Sequence, residues 1–334
     1  MKGVLLMKNT IGTVLVTVTY TGSHMESIEK ALQPAKIIRA APDDREAISK
    51  ALKEADVAIL NSDLNDQILE EGTKLRWIHC NHAGLNSSAR PEVFERGIIL
   101  TGSAGRSGPV LAEHTFFLLL SLVYDSRLLE ENQRNHKWEK IYTYRRGIYS
   151  KTMGIIGLGH TGLEVAARAK AFGMNVLAYD RAFDSVPENV DVCYSRDNGD
   201  TVDELLQKSD VVVLAVRLTD DTHHLINERA FTIMKDSAYL INMARGPVVD
   251  EKALYVALRD GKIAGAGSDV FETEPLSPDS PLWDLSNMII TPHCTPEMPD
   301  MPGNCVKIIE DNVERYRQGL PMRNRLDVRD VYTK

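Results

Sequence analysis

The sequence predicts an α/β protein made of two doubly wound, Rossmann-like domains. Three observations predict it. Short apolar runs alternate with helical segments, as in a parallel sheet covered on both faces. The alternation occurs in two consecutive series, separated by one long helical stretch. The length, 334 residues, suits about two domains.

The first series begins with "TVLVTVTY" at 13–20, a buried strand. "GSHM" at 22–25 falls in the first strand-to-helix turn, ahead of the helix "MESIEKAL". The strand "KIIRA", the helix "DREAISKAL" (44–52) and the strand "VAILN" (57–61) follow. "NDQILEEG" is a short helix, and "LRWIHC" (75–80) and "GIILTG" (97–102) are strands. A long helix then spans roughly 109–132, with Pro109 in its first turn. "HKWEKIYTYRRGIYSKT" (136–152) is irregular, polar and aromatic.

The second series opens with the strand and turn "TMGIIGLG" and the helix "TGLEVAARAKAFG". Strands "NVLAYD" (175–180), "DVVVLAV" (210–216), "AYLINM" (238–243), "IAGAGSDV" (263–270) and "NMIITPH" (287–293) succeed it. Helices "VDELLQKS", "INERAFTIM" and "DEKALYVALRDG" lie between them. After the proline-rich "CTPEMPDMPG", the run "NCVKIIEDNVERYRQG" is amphipathic, with Val306, Ile309 and Val313 near one face.

Composition narrows the function. The net charge of -8 gives no reason to expect a nucleic-acid partner. Four sparse cysteines, none in CxxC spacing, fit a reducing, cytoplasmic setting. The longest apolar stretch, "FFLLLSLV" at 116–123, is too short to span a bilayer.

"GIIGLGHTG" carries Gly157, Gly159 and Gly162 in G-x-G-x-x-G spacing, between a strand and a helix. The first glycine permits the tight turn, the second a close pyrophosphate, the third helix–strand packing. Amides near His160 and Thr161 would face that pyrophosphate. Asp180 ends the next strand, eighteen residues past Gly162. A carboxylate there accepts ribose hydroxyls and repels a 2′-phosphate, so NAD(H) is expected over NADP(H), with Arg181 as the counter-indication.

Three reactive side chains follow strand ends of the second series: Arg245, Glu274 and His293. Ligands of open parallel sheets bind beyond those ends. Hydride exchange at an oxygen-bearing carbon needs a proton partner, and imidazole suits it. Glu274 would fix the tautomer of His293, and Arg245 would grip a carboxylate beside the carbonyl. The implied substrate is a small 2-keto or 2-hydroxy acid. A non-catalytic, NAD-responsive protein-interaction module is the alternative. The complete Arg–Glu–His set argues against it.

"GIIGLGHTG", "NMARGPVVDEKAL", "AGAGSDVFETEPL", "PLWDLSNMIITPH" and "VLAEHTFFLLL" together resemble the D-isomer-specific 2-hydroxyacid dehydrogenase family, across essentially the whole chain. The resemblance implies a flavodoxin-like substrate lobe (1–108 and 299–334), an NAD-binding lobe (109–298) and an interdomain cleft. It implies catalytic Arg245, Glu274 and His293, with Asp269 at the nicotinamide end and Met243 and Ala244 against the cofactor. Val216 and Arg217 occupy a cofactor-side loop, where relatives often have a small residue and proline. Arg217 either faces the cofactor or is solvated. Backbone amides near His82, Ala83 and Gly84 in "NHAGLN" would hold the substrate carboxylate, and Asn86 stands where relatives have an acid. His79 and His82 read as structural or pocket-wall residues rather than metal ligands.

The resemblance also implies a homodimer, with "HKWEKIYTYRR" as an interface arm. Trp138 would reach a neighbouring pocket or pack in its own subunit. The clearest departure is "CTPEMPD" after His293, where Pro296, Pro299 and Pro302 stiffen the turn and Cys294 and Thr295 are pocket candidates. Cys294 has no apparent activating pair, and Arg106 is the candidate for meeting a phosphorylated substrate.

Overall fold

The computed structural model describes residues 9–139, 147–183, 185–295 and 297–334. The chain divides into two units: Met1–Arg106 with Met298–Lys334, and Ser107–Glu297.

The first unit contains β1 (Thr13–Val16), α1 (Gly22–Leu32), β2 (Lys36–Arg39), α2 (Arg45–Leu52), β3 (Val57–Leu60), α3 (Asp66–Glu71), β4 (Trp77–Cys80), α4 (Pro91–Glu95) and β5 (Ile99–Gly102). The parallel sheet runs β2-β1-β3-β4-β5, the flavodoxin-like order. β3 and β4 are buried at every position, which is why they read as continuous apolar runs. Side-chain caps fix two helix starts: Asp44 accepts from the Ala47 amide (3.0 Å), and Asn65 from the Ile68 amide (3.0 Å). "GSHM" is the first turn of α1 rather than a loop: Gly22 takes a left-handed φ of 56° and the chain becomes helical at once.

The second unit contains α5 (Gly108–Val123), α6 (Ser126–Arg134), β6 (Thr152–Ile156), α7 (His160–Ala171), β7 (Asn175–Asp180), β8 (Val192–Ser195), α8 (Asp203–Lys208), β9 (Val211–Leu214), α9 (Glu228–Ile233), β10 (Tyr239–Asn242), α10 (Glu251–Arg259), β11 (Gly265–Ser268) and β12 (Met288–Ile290). Its parallel sheet runs β12-β11-β10-β9-β6-β7-β8. The order reverses between β6 and β9, and a doubly wound sheet binds ligands at that switch point. Leu118 and Leu119 of α5 are fully buried in one core with Met153, Val165 and Val213.

The long helix expected over 109–132 is broken. Asp125 adopts a left-handed φ of 50°, and its carboxylate accepts from the Leu128 amide (3.4 Å), starting α6 afresh. A short polar side chain tolerates that conformation, and the apolar pattern conceals it. Two elements escaped the sequence reading, α4 and β8; each is too short for its period to register.

α11 (Met301–Gln318) returns to the first unit. Val306, Ile309 and Val313 are buried in its core, and Tyr316 stacks on the fully buried Trp77 with ring centroids 5.2 Å apart. The helix stops at Gly319, φ 69°. Among the described residues no helix is long and apolar enough to cross a membrane. Pro296 and residues 140–146 of the expected interface arm lie outside the described residues.

Candidate active site

The glycine loop leaves β6 at the switch point. Gly157 has φ 91°, and a Cβ there would lie 2.6 Å from Ala215 O and Val216 N. Both facts require glycine. A Cβ on Gly162 would overlap the Gly157 carbonyl oxygen, so α7 can lie close only with glycine there. Around Gly159 nothing comes within 4 Å of the added Cβ, so the space above this residue is open. Gly159 is also the N-cap of α7, whose first turn has no side-chain cap. An open space over uncapped helix amides fits a dinucleotide pyrophosphate, drawn by the positive end of the helix. His160 and Thr161 form that first turn.

Asp180 closes β7, and both oxygens of its half-buried carboxylate are bonded to backbone amides. Its Oδ2 accepts from the Leu158 amide (2.7 Å) and its Oδ1 from the Arg181 amide (2.6 Å). Val216 is half-buried and Arg217 exposed. The Arg217 carbonyl accepts from Thr222 Oγ1 (2.6 Å).

"NMARGP" resolves as a backbone-to-backbone junction. Met243 and Ala244 are buried at the end of β10, and Asn242 Oδ1 accepts from the Ala244 amide (3.0 Å). Arg245 is extended, φ -144°, and its Nη1 donates to Ala244 O (2.7 Å). A Cβ on Gly246 would overlap the Phe271 backbone. Glycine is therefore what lets the Arg245 turn lie against the chain leading to Glu274.

Glu274 and His293 are brought together. Glu274 Oε1 accepts from the Phe271 amide (2.9 Å), and Oε2 lies 2.8 Å from His293 Nδ1. The carboxylate is thus fixed on one side by backbone and on the other holds the imidazole. Against an ionised carboxylate Nδ1 is the donor, which leaves Nε2 outside that bond. The His293 side chain is 51% exposed, so the ring meets its surroundings. β12 ends at Ile290, earlier than the sequence implied, and His293 stands in the turn beyond it with φ 51°.

Asp269 follows β11 and is 2% exposed. Its carbonyl accepts from the His293 amide (2.8 Å). Its carboxylate accepts from Thr291 Oγ1 (2.6 Å) and the Cys294 amide (3.0 Å), and its Oδ2 lies 3.2 Å from Thr295 Oγ1. Both threonines also meet the buried His114 of α5. Sequence reading gave these groups no such role. The available signal was one histidine inside the apolar stripe "VLAEHTFFLLL".

In the first unit the loop after β4 carries His82, Ala83 and Gly84, with Gly84 at φ 79°. His82 Nδ1 lies 3.1 Å from Ala83 O, and its Nε2 lies 3.5 Å from Asp63 Oδ1. Arg106 Nη1 donates to Asn81 O (3.0 Å). His79 is fully buried between Thr101 Oγ1 (3.0 Å) and Ser103 Oγ (3.2 Å), and burial holds its pKa down to about 3. No group of three metal-ligating side chains occurs among the described residues.

Two doubly wound sheets, a dinucleotide-type glycine turn and a carboxylate-held histidine define an NAD(P)-dependent oxidoreductase acting on a 2-hydroxy acid. A family profile described as "D-isomer specific 2-hydroxyacid dehydrogenase, NAD binding domain" matches residues 116–295. The glyoxylate reductase of Korarchaeum cryptofilum is 34% identical over 286 residues, 84% of this chain and 85% of that protein. The hydroxypyruvate reductase of Thermotoga maritima is 35% identical, over 75% of this chain and 81% of that protein. The D-isomer specific 2-hydroxyacid dehydrogenase of Xanthobacter autotrophicus Py2, solved with NADPH and MES, is 26% identical with a TM-score of 0.79, covering 96% and 99% of the two chains. This chain belongs to the D-isomer specific 2-hydroxyacid dehydrogenase family. Its reaction class is the NAD(P)(H)-dependent reduction of small 2-keto acids to D-2-hydroxy acids.

One expectation is overturned. Asp180 does not establish a preference for NAD(H) over NADP(H), because the Xanthobacter relative is a complex with NADPH. The physical reason lies in the bonds of Asp180. A carboxylate committed to the amides of Leu158 and Arg181 braces the glycine loop, and its charge does not by itself bar a phosphate.

Proposed function

We propose that this chain reduces a short 2-keto acid, of the size of glyoxylate or hydroxypyruvate, with His293 as acid/base, Glu274 as its partner and Arg245 as the substrate-binding arginine. The observation that carries the reading is the 2.8 Å contact of Glu274 with His293 Nδ1, on a carboxylate already anchored to backbone. A bound nicotinamide supplies the hydride that reaches C2. Protonated His293 gives its Nε2 proton to the ketone oxygen as the C–H bond forms, and Glu274 stabilises the imidazolium until then. Arg245 binds the substrate carboxylate and draws electron density toward the ketone oxygen.

In this reading Gly157, Gly159, His160, Thr161 and Gly162 receive the pyrophosphate and Asp180 lies at the adenosine end. Val216 and Arg217 line the cofactor-side loop, while Met243, Ala244 and Asp269 stand at the nicotinamide end. Amides of His82, Ala83 and Gly84 hold the substrate carboxylate, supported by the left-handed Gly84. The working form is a homodimer. Its support is the 95% exposed Trp138, with Phe117 and Tyr124 each 55% exposed. A cytoplasmic setting is supported by four free cysteines, and the net charge of -8 argues against a nucleic-acid partner. The test follows NADH and NADPH oxidation over glyoxylate, hydroxypyruvate, phenylpyruvate and 3-phosphohydroxypyruvate. Turnover of the short acids to D-products supports the reading. Dinucleotide binding with no turnover would favour the interaction module.

A further inference from the structure

His114 lies in the buried stripe of α5 and is 6% exposed. Its Nε2 is 3.1 Å from Thr291 Oγ1 and its Nδ1 is 3.0 Å from Thr295 Oγ1. These threonines flank His293 at two residues on either side, and both also reach the carboxylate of Asp269. His114, Thr291, Asp269 and Thr295 thus close a ring of contacts around the base of one turn. At the top of that turn His293 holds a left-handed φ of 51°. A non-glycine residue keeps such a conformation only where its surroundings over-determine it.

Counting hydrogens assigns the roles. Thr291 spends its single hydroxyl hydrogen on Asp269 Oδ1 at 2.6 Å, so it must accept from His114. The proton of His114 therefore sits on Nε2. Nδ1 of the neutral ring can only accept, so Thr295 turns its single hydrogen to Nδ1 at 3.0 Å and only lies against Asp269 Oδ2 at 3.2 Å. Burial lowers the His114 pKa, with Asp269 opposing, which keeps the ring in that neutral form.

We propose that His114 is a positioning residue: by bonding Thr291 and Thr295 together it fixes the turn that aims the His293 imidazole. This rests on the reading of His293 as the acid/base. His114 meets neither substrate nor the reacting atoms in this account, and its effect passes through the backbone of 291–295.

A double-mutant cycle tests it. His114→Leu keeps a buried apolar side chain and removes both threonine bonds. With NADPH and glyoxylate or hydroxypyruvate, kcat falls about tenfold to a hundredfold, the range expected for a misaimed catalytic group. KM and NADPH affinity stay within about twofold. His114→Gln, which extends an amide toward Thr291 alone, recovers part of the loss. In a His293→Ala background, His114→Leu costs the residual rate less than about twofold. Equal losses in both backgrounds would mean general packing and overturn the proposal. Wild-type turnover in His293→Ala would instead sink the acid/base reading, and the positioning role with it. A second readout stands apart from turnover and from the Leu variant. Ring ¹⁵N signals of His293, assigned by their absence in His293→Ala, report one tautomer in the wild type and an average of two in His114→Gln. Identical signals in the two proteins overturn the proposal.

Discussion

Replacing Glu274 by Gln removes one charge and almost no volume, which makes its consequence calculable. The Oε1 bond to the Phe271 amide can survive, since the amide oxygen accepts equally well. What disappears is the carboxylate charge 2.8 Å from His293 Nδ1. Unit charges about 4 Å apart interact by roughly 1 kcal/mol in water and about 4 kcal/mol at an effective dielectric of about 20. With side-chain exposures of 51% for His293 and 36% for Glu274, the pair belongs near the lower figure. A loss of about 1 kcal/mol of charge pairing across this contact is therefore expected, or about fivefold in kcat. KM for the keto acid should change little, because Glu274 is assigned no contact with substrate. Steady-state oxidation of NADPH by glyoxylate measures both parameters. Unchanged kcat, or a change confined to KM, would refute the derivation.

Gly246→Ala should destabilise the fold by about 1–3 kcal/mol, because its Cβ would strike the Phe271 backbone rather than a side chain that can move; a lowered urea midpoint checks this. Asp180→Ala should weaken NADH and NADPH binding alike, by roughly 1 kcal/mol, since it strips the acceptor from the Leu158 amide in the glycine loop; fluorescence titration of both nucleotides decides it. His79 supplies a pH test. Its folded pKa is lowered from 6.5 to about 3, so the unfolded chain binds the extra proton. Its contribution is complete above about pH 6.5 and is lost as pH falls toward about 3, at up to about 1.4 kcal/mol per unit. His79→Gln should flatten that part of the urea-midpoint profile.

The sheets were legible because parallel strands buried on both faces are written as unbroken apolar runs, "VAIL" and "VVVL" being examples. Catalytic candidates were legible for a related reason: a polar residue just past such a run lies at a strand's carboxyl end, where doubly wound sheets bind ligands. Asp125 shows what pattern reading misses, since the hydrophobic period continues through the break its backbone makes. The His114–Asp269 ring was hidden because its members are 155 residues apart, 269 − 114 in the numbering, and meet only once α5 packs on β11 and β12. Asp180 misled for the opposite reason. Its place at the end of β7 was correctly read, but which groups a carboxylate bonds is decided by loop geometry that spacing does not encode.

The most direct measurement pairs nucleotide binding with turnover in His293→Ala. If the imidazole delivers the proton, NADPH affinity is retained while kcat on glyoxylate falls by about a hundredfold or more. Turnover near that of the wild type, with binding intact, would contradict the account.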